Sequence, residues 1–382
     1  MIFALVPEID FFNARSILLF VCLLQGLIFS FILAVRGFKN KTRSDYLLAI
    51  LLVLMCSSLI THFIGFANVY DNNQWLSFFP FEPLFAFSPT IYIYARFLTN
   101  SKERFAPRFW LFYLPSVAYL AYSLFLFFQT LEFKDWFIDW ANANYWFAFF
   151  DAALSAWNFG FLAMAFARYR KYRSWLNQNY SDTEKVKFDW LRNFLVMIAV
   201  LFVAEFVFNT LNVLFDLSYV QYYYLKITTA FATYYLAISG FVRSREMVVE
   251  FESIAEEPSP EQNEGALEAD KSRLLELMST ERPFLDPQLT LRDLAGLMAF
   301  NTSRVSHVIN KGIGINFNDF VNGYRIDEVK RKLADADAKD SNILSIAFEC
   351  GFNSKATFNR AFKKSTGVTP IQFLNENKSA RP

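Results

Sequence analysis

The stretch Gly351 to Pro370, G-F-N-S-K-A-T-F-N-R-A-F-K-K-S-T-G-V-T-P, carries the densest run of mutually consistent local signals in the chain. Gly351 closes a preceding helix, Ser354 is a good N-cap, and Phe358, Ala361 and Phe362 recur at i, i+3, i+4 to give one apolar face. The other face carries Lys355, Asn359, Arg360, Lys363 and Lys364, the side chains needed to read base edges and hold phosphates in a major groove. The pattern predicts a helix-turn-helix with its second helix intact. Its bland alternative is a basic amphipathic helix on some other globular domain.

With Gly351, Phe352, Phe358, Arg360, Phe362, Lys363, Lys364, Gly367, Thr369 and Pro370 in place, the stretch closely resembles the signature of the AraC family of bacterial transcription regulators, G-F-x-x-x-x-x-F-x-R-x-F-K-K-x-x-G-x-T-P. The resemblance implies two such units joined by a long helix between about Lys271 and Asn377, with double-stranded DNA and RNA polymerase as partners. By register against that motif, the base-facing positions are Ser303, Arg304, Ser306 and His307 in the first unit and Lys355, Ala356, Asn359 and Arg360 in the second. Lys363 and Lys364 fall on phosphates. Arg and Lys suit guanine, Asn suits adenine, and a small apolar side chain such as Ala356 meets a thymine methyl. Each position has a solvated surface residue as its alternative, and His307 is either a phosphate contact or nothing. The first unit departs from the family, since the usual basic pair ending its reader helix is Asn310-Lys311. The second unit is therefore the expected electrostatic anchor.

Upstream of this motif the helical period is soluble in character. Leu274, Leu275, Leu277 and Met278 make a first helix, and Thr290 is placed to cap a scaffold helix carrying Leu291, Leu294, Ala295 and Leu297. Asn301-Thr302-Ser303 opens the first reader helix, Phe317 to Leu333 is a long amphipathic connector, and Ile343 to Cys350 is the scaffold helix of the second unit. Between Glu246 and Asp270 the chain is acidic, without a basic residue, and holds Pro258 and Pro260. That composition predicts a flexible linker, whose acidic groups have competition with DNA for the reader's basic face as a functional reading.

The rest of the chain is of another kind. Of 382 residues 54% are hydrophobic, 47 are Phe and only 19% are charged, and the apolar excess lies almost entirely before Ser244. Seven apolar blocks follow one another near 16–35, 45–66, 75–98, 109–131, 145–167, 190–215 and 218–242, each long enough to cross a hydrocarbon core of about 30 Å as a helix. The leading segment carries Glu8 and Asp10 with only Arg15 as a cation, so it reads as a retained span and not as a cleavable signal peptide. Cations cluster after the odd-numbered blocks: Arg36, Lys39, Lys41, Arg43; Lys102, Arg104, Arg108; Arg168, Arg170, Lys171, Arg173, Lys185, Lys187, Arg192; Arg243, Arg245. The opposite segments hold only Arg15 and Lys134. This asymmetry places the N-terminus outside a bacterial cytoplasmic membrane and the C-terminal domain in the cytoplasm, where DNA is. The expected fold is all-α: a seven-helix transmembrane bundle (residues 1–245), an acidic flexible linker (246–270) and a cytoplasmic AraC-like domain with two helix-turn-helix units (271–382).

Inside the spans, Pro80, Pro83 and Pro89 are expected to kink or break the third, which requires protein or water to take up the freed carbonyls. Ser88 to Arg96, S-P-T-I-Y-I-Y-A-R, also resembles the corresponding span of membrane-bound AraC-type regulators. Small-residue ridges (Gly26, Ser30, Ala34; Ala148, Ala152, Ala156, Gly160) point to close helix packing within one bundle or to a homodimer contact. The ionisable groups His62, Glu82, Asp151, Glu205 and Lys226 all fall within about 15 Å of the outer edge, at about 1.5 Å rise per residue. Together with Asn158 and Asn209, which share helix faces with Asp151 and Glu205, they are the candidate ligand-sensing residues for an unknown small-molecule or envelope stimulus. Glu205 and Lys226 are a possible pair; the alternative is that these groups only hold helices together. In the sensing reading, span seven passes the change to the reader through the linker.

Net charge is +1, and Cys22, Cys56 and Cys350 lack both a disulfide framework and metal-ligand spacing with the two histidines, so they read as small apolar packers. No nucleophile, base and orienter set occurs in the cytoplasmic part, and Gly312 and Gly314 lack the following G-K-T or G-K-S of a nucleotide loop. Neither an enzyme, a metal nor a cofactor is expected. The sequence reads as a membrane receptor and transcription regulator in one chain. A transporter or membrane enzyme with a regulatory DNA-binding appendage is the alternative, disfavoured because internal repeats among the spans are not visible.

Overall fold

The computed structural model describes residues 13–100, 103–183, 189–242, 264–335 and 343–379. The chain divides into two compact units: residues 1–169 with 188–250, and residues 170–187 with 251–382. Regular structure among the described residues is helical, apart from one isolated antiparallel bridge between Tyr180 and Thr290. The expected cations Lys102, Lys185, Lys187, Arg243 and Arg245, the acids Glu8 and Asp10, and linker residues 246–263 lie outside the described residues.

The first unit comprises α1 (Ala14–Asn40), α2 (Arg43–Phe66), α3 (Val69–Asn72), α4 (Phe87–Thr99), α5 (Leu114–Phe127), α6 (Leu131–Ala143), most of α7 (Trp146–Asn179), α8 (Asp189–Phe215) and α9 (Tyr219–Val242). Asn13 caps α1 by accepting from the backbone N–H of Arg15 and Ser16. Gly26 then lets α1 approach α2 and α9 closely, since a Cβ there would lie 2.5 Å from Cys56 Sγ and 3.0 Å from Thr233. One step along the same ridge Ser30 donates to the Ala49 carbonyl at 2.9 Å. The first small-residue ridge thus serves packing inside the bundle, whereas Ala152, Ala156 and Gly160 of the second are exposed. At one end of this trio Arg36 makes a bidentate pair with Asp45 (2.8 and 2.9 Å) and also donates to the last carbonyls of α9, Gly240 and Phe241. One side chain therefore ties three helices and caps the third.

Among the described residues, six helical stretches are long and apolar enough to cross a membrane: Ala14–Asn40, Arg43–Phe66, Pro107–Phe127, Trp146–Asn179, Asp189–Phe215 and Tyr219–Val242. The expected third span, 75–98, is not a continuous helix. Its first part is a short turn at Gln74–Leu76 and irregular backbone, and only Phe87–Thr99 is helical. Pro80 and Pro83 supply no N–H to a helix ladder, and the freed carbonyls find side-chain donors instead. Ser123 Oγ donates to Phe78 at 2.7 Å, Trp157 Nε1 to Phe85 at 3.0 Å, and Lys134 Nζ to Trp75 and Ser77 at 3.1 Å each. Lys134, expected in an outer loop, is buried on α6, an amphipathic helix not foreseen from hydropathy because its charged residues lower the mean.

In the second unit, α10 (Glu264–Thr280) precedes α11 (Leu291–Met298) and α12 (Thr302–His307), which widens into a π-type segment at Val308–Ile313. Then come α13 (Phe317–Asp335), α14 (Ile343–Glu349), α15 (Lys355–Thr366) and α16 (Pro370–Ser379). One core forms around Leu274, Leu294, Val305, Ile309 and Phe320, and a second around Ile326, Val329, Ala347, Phe358 and Phe362, so α13 contributes to both. Two boundaries differ from expectation. Helix α10 starts inside the stretch read as linker, because Leu267 packs on the first core and Asp270 is buried against Arg304. Residues 170–187, read as part of the membrane domain, belong to this unit.

Candidate nucleic-acid interface and bundle cavity

Each half of the second unit is built as scaffold helix, turn and reader helix. Thr290 caps α11 in a reciprocal box with Asp293, Ala299 takes the left-handed conformation that ends it, and Asn301 caps α12 by accepting from Arg304 N–H at 2.7 Å. In the second half Gly351 turns left-handed (φ 92) after α14, Ser354 accepts from Thr357 N–H at 3.1 Å to start α15, and Gly367 (φ 80) ends it. Thr369 and Gln372 then form a second reciprocal cap, with Pro370 opening α16. Local capping chemistry therefore fixes where both readers begin and where the second ends.

The two readers differ in what they present. On α15, Lys355, Ala356, Asn359, Arg360, Lys363 and Lys364 are exposed while Phe358 and Phe362 are buried, so the helix turns its polar side chains to solvent. Lys364 Nζ is held by Asp319 of α13 at 2.6 Å. On the first reader Ser303, Arg304, Ser306 and His307 are only partly exposed. Arg304 is engaged: its Nε and Nη2 bond Asp270 at 2.7 Å each, and its guanidinium lies 4.0 Å over the Phe300 ring. The bonded Asp270 carboxylate raises the Arg304 guanidinium above its usual range. Ser306 Oγ accepts from Asn310 at 3.1 Å.

Arg325 of α13 went unnoticed in the sequence, where it is one more cation in N-G-Y-R-I-D-E. It is fully buried, and its Nε donates to Phe284 O (2.7 Å) and its Nη2 to Asp286 O (2.7 Å) and Ser181 Oγ (3.1 Å). Burial pulls this guanidinium down to about 10, and the carboxylates of Asp182 and Asp286 oppose that pull.

In the first unit, a cavity of about 110 Å³ is lined by Glu82, Asn158, Glu205 and Lys226, with Ser58 and Thr229 and the aromatic rings of Phe85, Phe87 and Phe202. Four of the seven residues read as ligand-sensing thus meet on one surface. Lys226 Nζ donates to Ser58 Oγ at 3.2 Å and is not ion-paired with Glu205 among the described contacts. His62 stands just off the cavity, its Nδ1 3.2 Å from Ser58 O and its ring stacked on Tyr219. Asp151 is within electrostatic reach of Glu205 and Lys226, whereas neither it nor Asn209 lines the cavity.

A model of a helix-turn-helix domain matches residues 294–376, the span that holds both readers and the connector between them. The C-terminal segment is an AraC-type helix-turn-helix domain. The chain is 30% identical to YtdP of Bacillus subtilis (strain 168), an uncharacterized HTH-type transcriptional regulator, across 94 residues that are 25% of this chain and 12% of YtdP. It is 34% identical across 88 residues to an uncharacterized HTH-type transcriptional regulator of Staphylococcus aureus (strain COL), covering 23% of this chain and 11% of that one. The chain therefore spans about an eighth or less of the length of these curated relatives. A solved structure of a protein of unknown function from Listeria innocua is 27% identical, covers 28% of this chain and 94% of its own, and superposes with a TM-score of 0.25.

Proposed function

We propose that this protein is a membrane-embedded, sequence-specific DNA-binding transcription regulator, in which a stimulus received by the helical bundle changes the output of the AraC-type domain. The observation that carries this reading is the presence in one chain, among the described residues, of six helices apolar enough to cross a membrane and of a reader helix, α15, whose candidate DNA-contacting side chains are solvent-exposed. Large apolar side chains such as Phe31, Phe128 and Phe149 are exposed on the bundle, which suits lipid and not water. The stimulus site of this reading is the cavity around Glu82, Asn158, Glu205 and Lys226. Ionisable groups at such depth are costly unless they serve a ligand, a pair or a water path. Base reading falls to Lys355, Ala356, Asn359 and Arg360 with phosphate contacts from Lys363 and Lys364, and the first reader adds Ser303, Arg304, Ser306 and His307. Chromatin capture with the intact protein is the test. Enrichment of one or a few promoters, lost in Arg360→Ala, is expected; a profile indistinguishable from that of a chain lacking α15 would overturn the reading.

A further inference from the structure

Residues 180–183 are bound by the DNA-binding unit as a ligand would be. Tyr180 pairs with Thr290 in an antiparallel bridge, and Ser181 gives its N–H (3.3 Å) and Oγ–H (2.6 Å) to Leu289 O. Asn318 Nδ2 donates to the carbonyls of both Tyr180 (3.1 Å) and Ser181 (2.8 Å), and Arg325 reaches Ser181 Oγ from beneath. Ser181 and Thr183 are 1% and 2% exposed, so this is a built site and not a glancing contact. It satisfies part of the hydrogen-bonding demand of the buried Arg325, which on the other side touches the turn at Gly351.

What this docking does to the reader follows from the groove beside it. A space of about 460 Å³ is lined both by Arg173 and Asn177, from the end of α7, and by Arg360 and Lys364 of α15. An α-helix with its side chains is about 10–12 Å across and a major groove about 12 Å wide, so a reader helix fills it and needs both flanks clear for the bordering phosphate strands. The end of α7 lines the same space as Arg360 and Lys364. The same unbroken helix, about four to six turns earlier, puts Leu154 and Asn158 on the cavity of the first unit.

We infer that residues 173–183 form an autoinhibitory docking segment: seated on Asn318 and Arg325 they hold the end of α7 beside Arg360, and their release opens the second reader to DNA. This rests on the regulator reading and names its route, which runs through α7 and not through the chain following α9. The seat offers a lock. Tyr180 and Thr290 face each other across an antiparallel bridge, within the reach of a disulfide, and the native cysteines are buried. The experiment uses the full chain carrying Tyr180→Cys with Thr290→Cys, in nanodiscs, and as probe the duplex recovered by chromatin capture. Oxidation is expected to form the disulfide and weaken binding about tenfold or more, in the range usual for coupled sites, with thiol reductant restoring it. Comparing the two redox states of one variant removes any effect of the lost Thr290 cap. Asn318→Leu, which cuts two of the seat's bonds, is expected to raise basal target-gene output and to speed hydrogen exchange at the Ser181 amide. Failure of the disulfide to form, or equal or tighter binding when locked, overturns the inference. Absence of binding by both the wild-type chain and Asn318→Leu sinks the regulator reading itself, and the Ser181 exchange rate still decides whether the seat exists.

Discussion

Gly351 shows what a single residue decides here. Its φ of 92 is left-handed, and a Cβ would stand 2.6 Å from Phe284 O, 2.9 Å from Arg325 Nε and 3.0 Å from Leu285 O. Gly351→Ala is therefore expected to destabilise the domain by at least about 2 kcal/mol, through strain and overpacking together. Gly296, inside α11 with open space around it, is the matched control: Ala there gains about 0.5–1 kcal/mol. Chemical denaturation of the two variants should move midpoints in opposite directions. Motif glycines look alike in a sequence; only the neighbouring carbonyls separate a strained turn from a tolerant position. Glu328 carries a second residue-scale expectation. It is 7% exposed, bonded to Arg331 and paired with Arg282, and these contacts, Arg331 first, hold its carboxyl down at about 2 from an ordinary 4.5. The folded-state value lies below the unfolded one, so the stabilisation is complete above about pH 4.5 and fades as pH falls toward 2. Stability measured across that window should decline in the wild type with a component missing from Glu328→Gln, and parallel curves for the two would refute the assignment.

At the scale of elements, α15 and α12 are the same device in different states. All six residues assigned to α15 are exposed, while Arg304 of α12 is clamped by Asp270 and stacked on Phe300. Replacing Asn359 or Arg360 with Ala is expected to cost about 1–3 kcal/mol at a specific site and to relax preference at one base pair. Lys363→Ala should weaken all duplexes alike and flatten the salt dependence. Arg304→Ala should do less than Arg360→Ala, because binding through Arg304 first requires leaving Asp270. Titrations of the full chain against cognate and scrambled duplexes at two salt concentrations separate the cases, and an unchanged cognate-to-scrambled ratio for Arg360→Ala would remove α15 from base reading. The helices of this unit were legible because their caps and apolar periods are local. The clamp on Arg304 was not, since Asp270 lies 34 positions upstream in a stretch whose composition reads as solvated linker. For the same reason the seat of Ser181 was invisible, its partner Arg325 being 144 positions away.

For the whole molecule, the apolar blocks announced the bundle, while the interruption at Pro80 and Pro83 reduced the continuous candidates from seven to six, leaving Phe87–Thr99 as a short helix. An odd or even number of crossings decides on which side of a membrane the DNA reader lies, so the broken segment is the element on which orientation turns. Two features of the fold favour its counting as a crossing. Its freed carbonyls are met by Ser123, Trp157 and Lys134, as irregular backbone at membrane depth requires. Beyond its other end, the Glu103 carboxylate meets Arg96 and Arg168 and its carbonyl accepts from Arg43, gathering Arg43 and Arg168 of two Lys- and Arg-rich segments at one level. With that segment counted as a crossing, the orientation we propose puts the N-terminus outside and Arg104 and Arg173 on the side of the DNA. A reporter active only in the cytoplasm should then work when fused at Arg104 or Arg173 and stay silent at Asn72 or Asp216. Activity at Asn72 together with Arg104 would mean that the broken segment re-enters without crossing, and silence at Arg173 would put the docking segment and the reader on the side without DNA.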